Sequence, residues 1–191
     1  MDAASRTTEK DSIRREMRRR LRRVDSASRE AASASVSKAI LALPAAESVL
    51  RTAGTVAAYL AMPDEISVDG AIGAFLGSGA SVAVPRWNGG GYVLSRIRSL
   101  SGFSAGPMGV REPGSVDEVP SGDVRLWIVP GLAFTRDGAR LGRGGGWYDR
   151  LLAGAVPDSF KVGAAYPFQI VDSIPLEDHD MRLSAVAEGE M

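Results

Sequence analysis

Residues 140–149 read Arg-Leu-Gly-Arg-Gly-Gly-Gly-Trp-Tyr-Asp, and glycine fills positions 142, 144, 145 and 146. Glycine gives up more backbone freedom on folding than any other residue, so such a cluster marks a sharp turn or a close approach to a ligand. Successive N–H groups in a turn of this kind form a concave anion site, and a helix that follows adds its positive terminus. Residues 147–152 can supply that helix. Arg140 and Arg143 carry planar, multi-donor groups suited to phosphate oxygens. Asp149 is a carboxylate able to hold a divalent cation bridging to phosphates. As chemistry, the stretch predicts a nucleoside triphosphate site with magnesium. The glycines alone also fit a flexible surface turn, which is what most glycine-rich loops are. No Lys-Ser or Lys-Thr follows them, so this is no P-loop, and the spacing of a dinucleotide fingerprint is missing. A ligand is predicted here, but not yet a reaction.

Few other residues compete for chemistry. The chain has no cysteine, which excludes disulfides, thiolate nucleophiles and cysteine-bound metals. His179 is the single histidine, with no second histidine for a zinc site and no Gly-x-Ser-x-Gly elbow for a triad. Asp180, beside it, is a candidate to join Asp149 as an oxygen ligand. Glu65 follows an apolar run and a Met-Pro-Asp turn, a position from which a carboxylate can hydrogen-bond a substrate at a sheet edge. Its competing reading is an exposed loop carboxylate. Residues 14–23 hold seven arginines against one glutamate, the only strong charge bias in a chain of zero net charge.

The elements that must position these groups follow from periodicity. Residues 1–7 are polar and are expected to form a disordered tail. Thr8-Glu-Lys-Asp11 fits a capping box, and Ile13, Met17, Leu21 and Val24 then mark one face of a helix. Lys10 and Arg14, four apart, share another face near its start. The remaining arginines read as a solvated face, or as a nucleic-acid contact although no aromatic residue accompanies them. Asp25-Ser26 caps a second helix over 27–43, and Pro44 opens a third to about residue 51. Apolar runs at 54–60, 81–85, 124–130 and 160–165 predict buried parallel strands, with 124–130 central. Alternation over 92–97 predicts an antiparallel or edge strand. A helix is expected over 67–76 and another over 146–153, with a last strand near 183–187. Residues 101–123 read as a long loop or several short pieces. Strands alternating with helices define an α/β domain with a largely parallel sheet between helical layers, spanning 8–191 as one unit. Length, 45% hydrophobic content and the lack of an apolar run of about 18 residues predict a soluble, cytoplasmic protein.

Several of these segments together resemble one family. Pro130-Gly-Leu-Ala-Phe134, Gly138 and the run 140–149 resemble the signature of the 5-formyltetrahydrofolate cyclo-ligases, also called methenyltetrahydrofolate synthetases. Lys10-x-x-x-Arg14, Tyr59 with Glu65, Val110-Arg-Glu-Pro113, Gln169, Ile174-Pro175 and His179-Asp180 agree in order. The chain departs at Trp147-Tyr148, where the family usually has two tyrosines, and at Ile66-Ser67-Val68, where many members have Val-Asp-Thr.

The resemblance implies a three-layer α/β/α fold like that of the ribose-5-phosphate isomerase and CoA-transferase group. It implies conversion of 5-formyltetrahydrofolate, with ATP and Mg2+, to 5,10-methenyltetrahydrofolate, ADP and phosphate. Carried onto this sequence, it places Lys10, Arg14, Arg140, Leu141, Gly142, Arg143, Gly144, Gly145, Gly146, Trp147 and Tyr148 on ATP. Leu60, Glu65, Arg143, Gly144, Gly145, Gly146 and Trp147 fall on the folate, and Asp149 and Asp180 on the metal. Arg143 is the expected transition-state contact. The implied partners are ATP and a folate that can carry a polyglutamate tail, with neither nucleic acid nor membrane, in a monomer or weak dimer. Two other readings stay open: a diverged enzyme that keeps the ATP loop but acts on another amide or carboxylate, and a nucleic-acid module using the basic helix.

Overall fold

Alternate residues of each central strand point to opposite sides, and this chain fills both sides with apolar groups. Leu126 and Ile128 join one buried cluster while Trp127 and Val129 join another. A strand buried on both faces suits a parallel sheet covered by helices. The computed structural model, describing residues 3–106, 109–177 and 180–190, has that arrangement. Its six-stranded sheet has the order β10-β9-β6-β1-β2-β3. The strands are β1 (Thr55–Ala57), β2 (Ser81–Trp87), β3 (Tyr92–Ile97), β6 (Leu126–Val129), β9 (Phe160–Ala165) and β10 (Ala185–Glu188). Every pairing is parallel except β2 with β3, a hairpin that makes β3 an antiparallel edge as its alternation predicts.

The two covering layers are unequal. Helices α1 (Ala3–Leu21), α2 (Ser26–Leu41), α3 (Pro44–Thr52) and α4 (Asp69–Gly77) all contribute to the larger cluster on one face. On the other face lie α5 (Trp147–Ala153) and loop segments containing Val119 and Val124. Local signals account for the helix ends. The Asp25 carboxylate accepts the Ser28 N–H at 2.8 Å, and Pro44 opens α3 where its missing N–H costs nothing. Met17, Leu21 and Val24 are buried as the spacing predicts.

One expectation needs correcting. The first helix begins at Ala3, not at the Thr8 capping box, so residues 3–7 are helical where a disordered tail is expected. Residues 101–123 hold short pieces, as one of the two readings has it: β4 (Phe103–Ala105) and β5 (Arg111–Pro113) pair antiparallel. A second small ribbon, β7 (Ala133–Phe134) with β8 (Arg140–Leu141), leads into the glycine-rich stretch.

From β1 the chain moves one way to β2, and β6, β9 and β10 then add on its other side. The reversal between β1 and β6 opens a crevice beyond their carboxyl ends, where open α/β sheets bind ligands.

Candidate active site

Residues 59 and 60 leave β1, and Pro130 and Gly131 leave β6, into the walls of one cavity of about 470 Å³. Lys10, Arg14, Leu60, Glu65, every residue from 140 to 149 and Asp180 also line it. The structure thus gathers around one cavity all the candidate ATP, folate and metal residues, while His179 lies outside the described residues.

The glycine-rich loop is pinned from both sides. On one side, α1 reaches it: Arg14 Nε donates to the Gly142 carbonyl at 3.2 Å and Arg18 to the Arg143 carbonyl at 3.0 Å. On the other, Arg143 spans the cavity to the 62–65 turn, donating from Nε to Glu65 Oε1 at 2.9 Å and from a terminal nitrogen to Asp64 Oδ1 at 2.6 Å. Glu65 is itself oriented, because its other oxygen accepts the Met62 N–H at 3.0 Å. Gly146, at φ 64°, makes the left-handed turn that starts α5, a conformation costly for any residue with a Cβ.

The charged groups of the cavity neutralise one another. Arg140 is expected on phosphates, but its side chain is only 4% exposed, held by the Pro130 carbonyl and by the Asp149 carboxylate. Arg140 pairs with Phe134 across the β7–β8 ribbon, lines the cavity and holds the Asp149 carboxylate there. Lys10 Nζ donates to Glu177 at 2.8 Å and to Asp180 at 3.1 Å. Burial disfavours the Lys10 ammonium, but the two carboxylates more than offset this and raise its pKa. Arg143 shows the same balance: burial works against the charge, and Glu65 and Asp64 restore it. Burial, reinforced by Glu65, pushes the Tyr59 and Tyr148 hydroxyls well up, so both are neutral at neutral pH.

The two departures from the family pattern sit differently: residues 66–68 lie off the cavity wall and Trp147 is on it. Ile66 and Val68 are buried in the core, the Ile66 carbonyl accepts the Tyr59 hydroxyl at 2.7 Å, and the Ser67 N–H donates to Ser33. None of the three lines the cavity. The Trp147 indole packs edge-on against Trp87 at 5.1 Å and Tyr92 at 5.4 Å, with the Arg150 guanidinium 4.0 Å above it. An aromatic wall is therefore kept, built from the β2–β3 hairpin and the loop together.

Compared with known proteins, residues 6–189 match the 5-formyltetrahydrofolate cyclo-ligase family. The chain belongs to this family. A Mus musculus 5-formyltetrahydrofolate cyclo-ligase is 26% identical over 97% of this chain and 96% of its own. The Escherichia coli enzyme of the same name is 30% identical over 70% and 77%. Among solved structures, the Aquifex aeolicus 5,10-methenyltetrahydrofolate synthetase superposes with a TM-score of 0.80 at 27% identity, covering 94% of this chain and 89% of that one. The family member described here therefore shares its fold with a solved relative along nearly its whole length.

Sequence reasoning missed several groups of this cavity. Tyr92 and Met62 line the cavity, and Asp64 holds Arg143. Arg18 was assigned to a solvated face, yet a signal for it existed: Lys10, Arg14 and Arg18 are spaced by four and share one helix face. Replacing Arg18 with alanine removes a charge-assisted hydrogen bond to the loop, worth about 1 kcal/mol where partly exposed. Amide exchange at Gly144, Gly145 and Gly146 should then quicken about fivefold, with β6 and β9 unchanged. Unaltered loop exchange would show that Arg18 does not restrain it.

Proposed function

We propose that this chain closes the ring of 5-formyltetrahydrofolate to give 5,10-methenyltetrahydrofolate, using ATP and releasing ADP and phosphate. A formamide oxygen is a poor leaving group. Transfer of the γ-phosphoryl group to that oxygen, with ADP departing, turns it into one that leaves as phosphate. The 10-nitrogen then bonds to the formyl carbon and loses its proton as the carbon–oxygen bond breaks. No side chain needs to bond to the substrate; the protein's work is alignment and charge neutralisation.

The observation that carries this reading is the 2.9 Å contact between Arg143 and Glu65. It brings the phosphate-type loop and the carboxylate suited to pterin N–H groups to one point of one cavity. A γ-phosphoryl group and a formyl oxygen bound at these two stations would meet beside Arg143. In this reading Lys10 and Arg14 face the polyphosphate from α1, and residues 140–148 wrap the nucleotide with N–H donors. Leu60, Gly144, Gly145, Gly146 and Trp147 line the folate side.

Asp149 and Asp180 fit a magnesium ion. Both face the cavity, and Mg2+ bound with ATP takes one or two carboxylates and fills its other positions with phosphate oxygens and water. Each carboxylate keeps one oxygen outside its hydrogen bonds to Arg140 or to Lys10 and the Glu177 N–H. Bound there, the ion would offset charge on the phosphates.

The test is direct. Purified protein is mixed with 5-formyltetrahydrofolate, magnesium and ATP, and the near-ultraviolet absorbance of the methenyl product is followed, with a no-ATP control. ATP-dependent growth of that signal is expected. Folded protein that binds ATP and gives no signal would mean that the loop is read correctly and the substrate is not.

A further inference from the structure

Arg143 has two carboxylate partners on neighbouring residues, and they are not equivalent. Glu65 lines the cavity and its side chain is 12% exposed; Asp64 is absent from the cavity wall and 26% exposed. If Glu65 accepts hydrogen bonds from bound substrate, as proposed above, part of its charge is diverted from Arg143. Asp64 is then the partner that substrate does not reach. A guanidinium has five N–H donors in a rigid fork. Nε faces Glu65 and one terminal nitrogen faces Asp64, which leaves the second terminal nitrogen for a transferring phosphoryl group.

The backbone of the same residue is held independently, because Arg18 grips its carbonyl. A long side chain on a glycine-flanked residue still has rotamers to lose, and its tip must be placed to within a fraction of an ångström to act on a transition state. We infer that Asp64 is a positioning residue for this reaction: it anchors the Arg143 guanidinium at the cavity while Glu65 turns to the folate. The inference rests on the roles proposed for Arg143 and Glu65, but its physical core, that Asp64 alone suffices to hold Arg143, does not depend on any substrate.

Two measurements test it. In the first, the Nε–H resonance of Arg143 is assigned by its loss in Arg143→Lys, and its fast motion is followed by NMR relaxation. Arg143 should stay as rigid in Glu65→Gln as in the parent and become mobile in Glu65→Gln/Asp64→Asn. Mobility already complete in Glu65→Gln would overturn the inference, whatever the protein's activity. In the second, Asp64→Asn should lower kcat at least about tenfold, within the range that a misplacement of roughly 1 Å costs. KM for the folate should stay within about twofold, since Glu65 is intact. Asp64→Glu should recover most of the rate. A parent that closes the ring together with an Asp64→Asn variant of unchanged kcat would refute the positioning role. A parent that does not close the ring refutes the proposed function instead, and the relaxation result then decides for or against Asp64.

Discussion

Arg143→Ala should lower the rate of ring closure about a thousandfold, the scale seen when a single donor to a developing oxyanion or a transferring phosphoryl group is lost. The folded protein should survive. Arg143 is 30% exposed, and ion pairs this open to water contribute about 0–1 kcal/mol. The loop also keeps its Arg14 and Arg18 contacts, which engage backbone carbonyls rather than the Arg143 side chain. The expected signature is therefore a collapse of kcat with a midpoint of urea unfolding close to the parent's. Removing Arg143 leaves Asp64 and Glu65 adjacent without their shared cation, so a small destabilisation that salt relieves should accompany it. A folded Arg143→Ala protein with parental turnover would remove this residue from the reaction and, with it, the case for Asp64.

Gly138→Ala should have the largest effect on stability, about 3–5 kcal/mol, with no contact to the cavity. Two costs add. The backbone there has φ 89°, a region that a residue with a Cβ enters only at a penalty. A Cβ would also sit 2.2 Å from the Leu183 carbonyl oxygen. That atom is backbone and cannot rotate away. The Leu183 N–H donates to the Gly138 carbonyl at 2.8 Å, so parting the two segments breaks the bond that docks the approach to β10. With a urea slope of about 2 kcal/mol/M for a chain of this size, the unfolding midpoint should fall by roughly 1.5–2.5 M. Gly77→Ala is the control: a Cβ there meets nothing, and the midpoint should stay in place or rise slightly. A midpoint for Gly138→Ala within about 0.3 M of the parent would show that the turn can reshape without cost.

The two substitutions separate what local sequence encodes from what it does not. Gly138 was legible as part of a motif, but the reason only glycine fits lies 45 residues away, in the Leu183 carbonyl. The strands were legible in a stronger sense. The run at 160–165 is β9 to the residue, and 124–130 contains β6, whose four residues are all buried at the centre of the sheet. A short apolar run between turn residues has few ways to hide its side chains, so pattern and structure agree. The same logic left 101–123 as a loop or several short pieces, because β4 and β5, which pair with each other, carry too little apolar alternation to fix their bounds.

The family's glycine-rich loop, its arginines and Glu65 were also legible as a set, because their chemistry is intrinsic to the residue types. Their pairing was not. Arg143 meets Glu65 across 78 positions, and Lys10 meets Glu177 across 167. Arg140 and Arg143 look alike in sequence, three residues apart on a basic, glycine-flanked stretch. Both line the cavity, but Arg140, on a strand and 4% exposed, is paired with Asp149, whereas Arg143, on the loop and 30% exposed, is paired with Asp64 and Glu65. Local periodicity records which side chains are apolar and determined the strands and most of the helices, while residue type marked the residues worth watching. Which carboxylate each cation meets depends on where the reversal between β1 and β6 brings distant loops together. Coulomb and hydrogen-bond energies act over a few ångströms of space, whatever the distance along the chain, and only the tertiary structure sets those distances.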